Sequence, residues 1–120
     1  MDRKRELKEQ YKQMRPDMGV LGVRSKQENW YYIEGTQNLR ATLNGIRFKL
    51  ETGFYPSKEL LKKWQEQGEE QFIFEVLEQL EYGKDETKTD YSDDLALLVM
   101  EWEEKLVNQG FKVVKRNKQR

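Results

Sequence analysis

The sequence predicts an α+β domain, a small three-stranded antiparallel sheet flanked by helices, in the order β, β, α, α, β, α, with an extra N-terminal helix. Two short runs of β-branched and aromatic residues, Val20–Val23 and Trp30–Ile33, flank turn residues and predict a β-hairpin. From Leu39 to Leu50 the apolar spacing becomes i, i+4, i+7 and i+11, which is one face of a helix. A third apolar run, Phe72–Leu80, predicts the remaining strand.

Changes of composition along the chain divide it into three parts. Residues 1–15 favour a charged helix, which ends at Arg15 because the residue before a proline is pushed out of the helical region. Residues 17–110 carry the sheet and helix patterns and form the predicted domain. Residues 111–120 predict a short strand followed by a basic tail.

Residues that favour helix ends bound each of the three helices in the predicted domain. They are Thr36 or Asn38 and Gly53 for the first, Ser57 and Gly68 for the second, and Ser92 and Gly110 for the third. The third predicted strand is apolar at both odd and even positions, so we expect both of its faces to be covered. Residues 82–91 are polar and acidic and predict a loop.

Composition limits the chemistry that this chain performs. It has 22 basic and 22 acidic residues, so no overall positive charge favours nucleic acid. It contains no cysteine or histidine, which excludes disulfides, thiolate metal sites and imidazole bases. Any catalysis would depend on tyrosine, lysine, arginine and carboxylates. No apolar run approaches membrane-spanning length, so we expect a cytoplasmic protein with no membrane partner.

Three short motifs between Gly19 and Leu50 carry a family resemblance. They read Gly19-Val20-Leu21 on the first strand, Tyr32-Ile33-Glu34 on the second, and Asn38-Leu39 followed by Thr42 at the start of the helix. Their spacing resembles that of the GIY-YIG nuclease family, in which a Gly-Ile-Tyr strand pairs with a Tyr-Ile-Gly strand before a helix that carries an arginine. The resemblance implies the fold of a metal-dependent endonuclease.

The residues at the functional positions of that family are mostly replaced. Leu21 stands at the first tyrosine, Glu34 at the second glycine and Thr42 at the arginine, while Tyr32 keeps the second tyrosine. The metal-binding glutamate that the resemblance implies falls at Val99, with Glu101, Glu103 and Glu104 nearby as weak substitutes. We therefore expect a GIY-YIG-like domain that has lost phosphodiester cleavage, needs no cofactor and acts by binding.

Nucleic acid is the first ligand considered for such a domain. Arg40, Arg47 and Lys49 make the first domain helix basic, and Trp30, Tyr31 and Tyr32 offer rings for stacking on bases. Zero net charge predicts weak and salt-sensitive binding to DNA or RNA.

Two other hypotheses stay open at this point. One is an active endonuclease with a rearranged site, in which Tyr32 and one of the three late glutamates act with Mg²⁺. The other is a protein-interaction module that uses the acidic loop and the basic ends. Cleavage assays and mass measurements across salt concentrations separate these hypotheses.

Overall fold

A computed structural model describes residues 15–53, 57–85 and 87–114 of the chain. The predicted N-terminal helix, apart from Arg15, and the basic tail after Val114 lie outside these residues. In chain order the elements are β1 (Met18–Ser25), β2 (Trp30–Thr36), α1 (Leu39–Thr52), α2 (Lys58–Gln67), a 3₁₀ turn (Glu69–Gln71), β3 (Phe72–Leu80), α3 (Ser92–Asn108) and β4 (Lys112–Val114).

The sheet has four strands in the order β3-β1-β2-β4. β1 pairs antiparallel with both β2 and β3, as the hairpin and third-strand patterns predict. The prediction of a purely antiparallel three-stranded sheet is wrong in one respect, because β4 adds a parallel pairing to β2. A parallel neighbour requires a crossover connection, and α3 supplies it by packing against β2 and β1 before the chain enters β4.

The predicted capping residues are confirmed for the first two helices and are wrong for the third. The Asn38 side chain accepts a hydrogen bond from the Ala41 amide, and the Ser57 side chain accepts one from the Leu60 amide. Ser92 is instead the first residue of α3, and its hydroxyl donates to Asp90. A carboxylate two residues upstream competes successfully for that hydroxyl.

Helices cover both faces of the sheet. α1 and α2 enclose one face around the rings of Trp30, Trp64 and Phe72, which meet edge to face. The largest buried set on that face is Leu21, Val23, Trp30, Tyr32, Leu39, Ile46, Leu50, Leu60, Trp64, Phe72 and Val114. α3 packs on the opposite face over Val20 and Ile33. The sheet therefore holds the residues of the hairpin motifs in the middle of the molecule.

The expectation that β3 is covered on both faces is wrong for most of its length. Phe72 is buried, but Val76 is 47% exposed and Ile73 and Phe74 are half-buried. β3 lies at the edge of the sheet, where Phe74 packs on the α1 and α2 side and Leu77 on the α3 side, but both layers cover the strand only in part. In the part of the chain described by the structure, no helix is long and apolar enough to cross a membrane.

Candidate functional site

The positions that the hairpin motifs mark lie together on the α1 face of the sheet. Leu21 is paired with Glu34, and Val23 is paired with Tyr32, so their side chains point to the same face. Thr42 on α1 joins them through Thr36, since the two hydroxyl oxygens are 2.7 Å apart. Leu21, Tyr32 and Glu34 thus share one face, and Thr42 reaches that face through Thr36.

Tyr32 is held by its neighbour two residues along the strand. Its side chain is 0% exposed, and its hydroxyl donates a 2.7 Å hydrogen bond to the Glu34 carboxylate. Side chains at i and i+2 of a strand share a face, so the glutamate at position 34, where the resemblance implies a glycine, can accept this bond. The phenol that the resemblance assigns to catalysis is enclosed and directs its proton to a carboxylate of the same strand.

The other marked positions present no charge to a phosphate. Leu21 is 0% exposed and packs in the core between the sheet and α1. Thr42 is half-buried, and its hydroxyl is engaged with Thr36. A threonine hydroxyl has neither the charge nor the forked geometry with which an arginine binds a phosphate.

The position of the implied metal ligand is apolar and closely packed. Val99 lies so near Gly35 of β2 that a Cβ atom added to this glycine would lie 3.0 Å from the Val99 Cγ2 atom. Gly35 therefore allows α3 to approach the sheet closely at this point. The valine side chain at this position offers no metal ligand.

A groove opens beside this contact, between the end of β2 and α3. Its volume is about 980 Å³, and it is lined mainly by apolar residues, including Ile33, Val99 and Val113, with Glu34 and Glu103 as the acidic residues. Of the three predicted late glutamates, Glu103 lines the groove, whereas Glu101 and Glu104 are exposed on the outer side of α3. Among the described residues no three acidic side chains come close enough together to hold a metal ion.

The predicted basic residues divide between two sides of α1. Arg40 lines a second groove of about 580 Å³ with Arg15 and with Val76 and Gln79 of β3. The guanidinium of Arg47 lies 4.7 Å from the centre of the Phe74 ring, also on β3. Lys49 follows Arg40 by nine residues and so points about 180° away from it around the helix.

The three aromatic residues proposed for base stacking do not form a stacking platform. Trp30 is 2% exposed and Tyr32 is 0% exposed, so both belong to the core. Tyr31 is half-buried on the opposite face, where its ring meets that of Phe111 edge to face at 4.9 Å. The stacking prediction is therefore wrong, because strand residues next to a helical layer pack their rings against it.

A polar cluster on the α3 face is not evident from the motifs. The Tyr31 hydroxyl donates to Glu75 at 3.1 Å, and the Arg24 Nε atom is 3.3 Å from the same carboxylate oxygen. The Arg24 Nε atom is buried and not aligned for a hydrogen bond, so the contact is an ion pair. Burial, and then the charge of Glu75, raises the pKa of Tyr31. Strand register, which these short motifs do not encode, brings the three residues together.

Comparison with solved structures identifies the architecture. The catalytic domain of homing endonuclease I-TevI superposes with a TM-score of 0.64 at 17% sequence identity, covering 82% of this chain and 98% of that domain. A mutant of the catalytic domain of intron endonuclease I-TevI superposes with a TM-score of 0.63 at 18% identity, covering 84% of this chain and 92% of that domain. The fold is that of a GIY-YIG nuclease domain.

The predicted GIY-YIG-like fold is therefore confirmed from the structure. Neither a protein-family model nor a curated protein sequence matches the chain. The region Gly19–Leu50, where the motif spacing predicts this fold, forms the hairpin and first helix of the structure.

Proposed function

We propose that this GIY-YIG-fold protein does not cleave phosphodiesters and acts by binding nucleic acid. The observation that carries the first part is the hydrogen bond from Tyr32 to Glu34, because it engages the one motif tyrosine that the chain retains. At the other three positions Leu21 has no proton to exchange, Thr42 has no positive charge and Val99 has no metal ligand. Preparing water and stabilising the phosphate charge both need such groups.

The flank of α1 that faces β3 is the proposed binding surface. Arg40 and Arg47 both lie against β3 residues and are separated by about 10 Å along the helix axis, since each residue adds 1.5 Å. Arg15 extends the same basic surface across the groove from Arg40. Arginine forms charge-assisted, bidentate hydrogen bonds with phosphate, which suits it to bind a nucleic-acid backbone.

Cleavage is tested on single-stranded, duplex and branched DNA with Mg²⁺ and with Mn²⁺. We expect no products from the purified chain at enzyme excess. Cleavage that disappears in Tyr32→Phe would overturn the first part of the proposal and establish the rearranged endonuclease, because a contaminating nuclease would be insensitive to that substitution.

Binding is tested by fluorescence anisotropy with the same DNA and with single-stranded RNA at low salt. The double variant Arg40→Glu and Arg47→Glu should lose most of the affinity. Lys49→Glu is the matched control, because it reverses a charge on the same helix but on the opposite side. Equal loss in both variants would indicate a nonspecific effect of net charge, and no binding by the unmodified chain would turn attention to protein partners.

A further inference from the structure

Most of the exposed large apolar side chains lie on the outward faces of two helices. In the part of the chain that the structure describes, four of the five are Phe48 on α1 and Leu97, Met100 and Val107 on α3. Because α1 and α3 cover opposite faces of the sheet, their outward faces point in opposite directions. One molecule can therefore present both surfaces at the same time.

The outward face of α3 combines apolar side chains with negative charge. Leu97, Met100 and Val107 lie at i, i+3 and i+10, within about 80° of one another around the helix. Glu104, at i+7, lies among them, and Glu101 is the i+4 neighbour of Leu97. No ion pair within residues 15–114, as far as they are described, involves either glutamate. With five acidic residues and one basic residue on α3, the apolar stripe lies in a strongly negative surface.

The outward face of α1 combines an apolar side chain with positive charge. Phe48 points away from the sheet, about 180° from the mean direction of the buried residues of the helix. Arg40 and Arg47 lie to one side of Phe48 and Lys49 to the other, each about 80–100° away around the helix. α1 has three basic residues and one acidic residue, so its outward face is apolar like that of α3 but opposite in charge.

We propose that the outward face of α1 in one molecule binds the outward face of α3 in a second copy of this chain. Phe48 then packs against Leu97 and Met100, and Lys49 faces Glu104. Burial of the apolar side chains supplies the affinity, while the opposite charges orient the two helices. The chain has 22 basic and 22 acidic residues, so two copies carry no net charge with which to repel each other.

This contact joins two different surfaces and is therefore heterologous. A self-complementary contact closes once two copies have met, whereas a heterologous contact leaves an α1 face open at one end and an α3 face open at the other. Further copies can then be added, so the assembly grows with protein concentration. Because only one helix face per copy takes part, the contact is small, and we expect it to be weak and sensitive to salt.

The inference does not rest on the proposed nucleic-acid binding. Arg40 and Arg47 belong to both surfaces, so bound nucleic acid would compete with a second copy for α1. Phe48, Lys49 and the outward face of α3 lie outside the proposed nucleic-acid surface. Substitutions at these positions should change self-association and leave the affinity for DNA unchanged, so failure of one proposal is distinguishable from failure of the other.

Sedimentation velocity of the full chain at low salt, at concentrations up to about 0.5 mM, tests the association. We expect the average mass to rise beyond that of a dimer with concentration and to fall when salt is added. One variant changes the α1 face (Phe48→Ser with Lys49→Glu), and the other changes the α3 face (Met100→Ser with Glu104→Lys). Each should weaken self-association by about ten-fold or more. Glu66→Lys, which reverses a charge at an exposed position on α2, should leave it unchanged.

A mixture of the two variants tests the head-to-tail arrangement directly. The α1 variant keeps its α3 face, and the α3 variant keeps its α1 face, so one complementary contact between them is intact. The mixture should form heterodimers that grow no further, although each variant alone is largely monomeric. Heterodimer formation would also show that both variants are folded.

Four results would overturn the inference. An unmodified chain that stays monomeric at every concentration has no such contact, and one that stops at a dimer has a self-complementary interface. A mixture of the variants that stays monomeric would contradict the pairing of α1 with α3. Loss of association in the α3 variant alone would show that the acidic face binds a different basic segment, such as one of the basic ends of the chain.

Discussion

The Tyr32 hydroxyl donates a 2.7 Å hydrogen bond to the Glu34 carboxylate, and Tyr32 is enclosed in the core. A buried donor paired with a charged acceptor contributes more to stability than a neutral pair on the surface. The bond therefore ties the second strand motif into the structure of the domain. At the same time it engages the tyrosine hydroxyl to which the family resemblance assigns a role in catalysis.

Tyr32→Phe should lower the free energy of unfolding by about 2 kcal/mol, because the substitution removes a hydrogen bond to a charged group and leaves the ring in place. Urea unfolding followed by tryptophan fluorescence measures the change. Tyr31→Phe is the matched control, since its hydroxyl also donates to a carboxylate but from the half-buried α3 face. An equal or larger loss in the control would contradict the argument from burial.

Gly19→Ala should destabilise the domain by about 3 kcal/mol or more, because a new Cβ would meet backbone atoms. It would lie 2.0 Å from the Glu78 carbonyl oxygen and 2.8 Å from the Gln79 Cα atom, next to the bulge in the β1–β3 pairing. The matched substitution Gly45→Ala, inside α1 with no neighbouring atom within 4 Å, should stabilise by roughly 1 kcal/mol. The same urea unfolding experiment measures both, and similar effects at the two sites would refute the steric explanation.

Glu28 connects the hairpin turn to α2 and should make stability depend on acid pH. Its carboxylate accepts hydrogen bonds from the Gln67 side chain at 2.7 Å and from the Trp30 indole at 2.8 Å. These bonds, that from Gln67 first, lower the pKa of Glu28 below its ordinary value of 4.5. The ionised form is thus favoured in the folded state, so its contribution is present above pH 4.5 and disappears as the pH falls through the lower folded-state pKa.

Glu28→Gln should consequently be less stable than the unmodified chain at neutral pH and should lose less stability on acidification. Unfolding curves between pH 7 and pH 3 measure the difference in slope. Glu66→Gln, at an exposed position on α2, serves as the control for removing a carboxylate. Parallel stability profiles for Glu28→Gln and the unmodified chain would show that the Glu28 contacts do not favour its ionised form.

Binding to duplex DNA through Arg15, Arg40 and Arg47 should depend on salt in proportion to the phosphates contacted. Three contacts predict a slope of about −2.7 for the logarithm of the binding constant against the logarithm of salt concentration. Replacing Arg40 and Arg47 by glutamine should reduce the slope to about −1, as measured by anisotropy titrations at several salt concentrations. A slope unaffected by the two substitutions would place the contacts elsewhere on the molecule.

The sequence was sufficient to predict the elements that depend on local patterns. The hairpin, the buried face of α1 and the bounds of β3 follow from apolar spacing and from residues such as Gly53 and Ser57 that favour helix ends. The parallel pairing of β4 was not predictable in this way, because three residues with no distinctive pattern acquire their partner only through the path of α3. Likewise, the exposure of Val76 depends on the position of β3 in the sheet rather than on its own composition.

The sequence predicted which residues belong to the candidate site, but it did not predict the contacts that they make. The strand register shows that Leu21, Tyr32 and Glu34 share a face of the sheet, and Thr42 of α1 contacts Thr36 of the same strand as Tyr32. The bond between Tyr32 and Glu34 and the groove position of Glu103 required side-chain geometry. The roles of Arg40 and Arg47 in binding stay predictions.

The close contact between Gly35 and Val99 limits which side chains position 99 accepts. Val99→Glu would put a longer side chain against a β-strand with room for little more than a hydrogen atom at position 35. Because Val99 also lines the groove between β2 and α3, the new carboxylate would have to extend into that groove, away from Gly35. The glycine of β2 therefore decides the direction in which a longer side chain on α3 points.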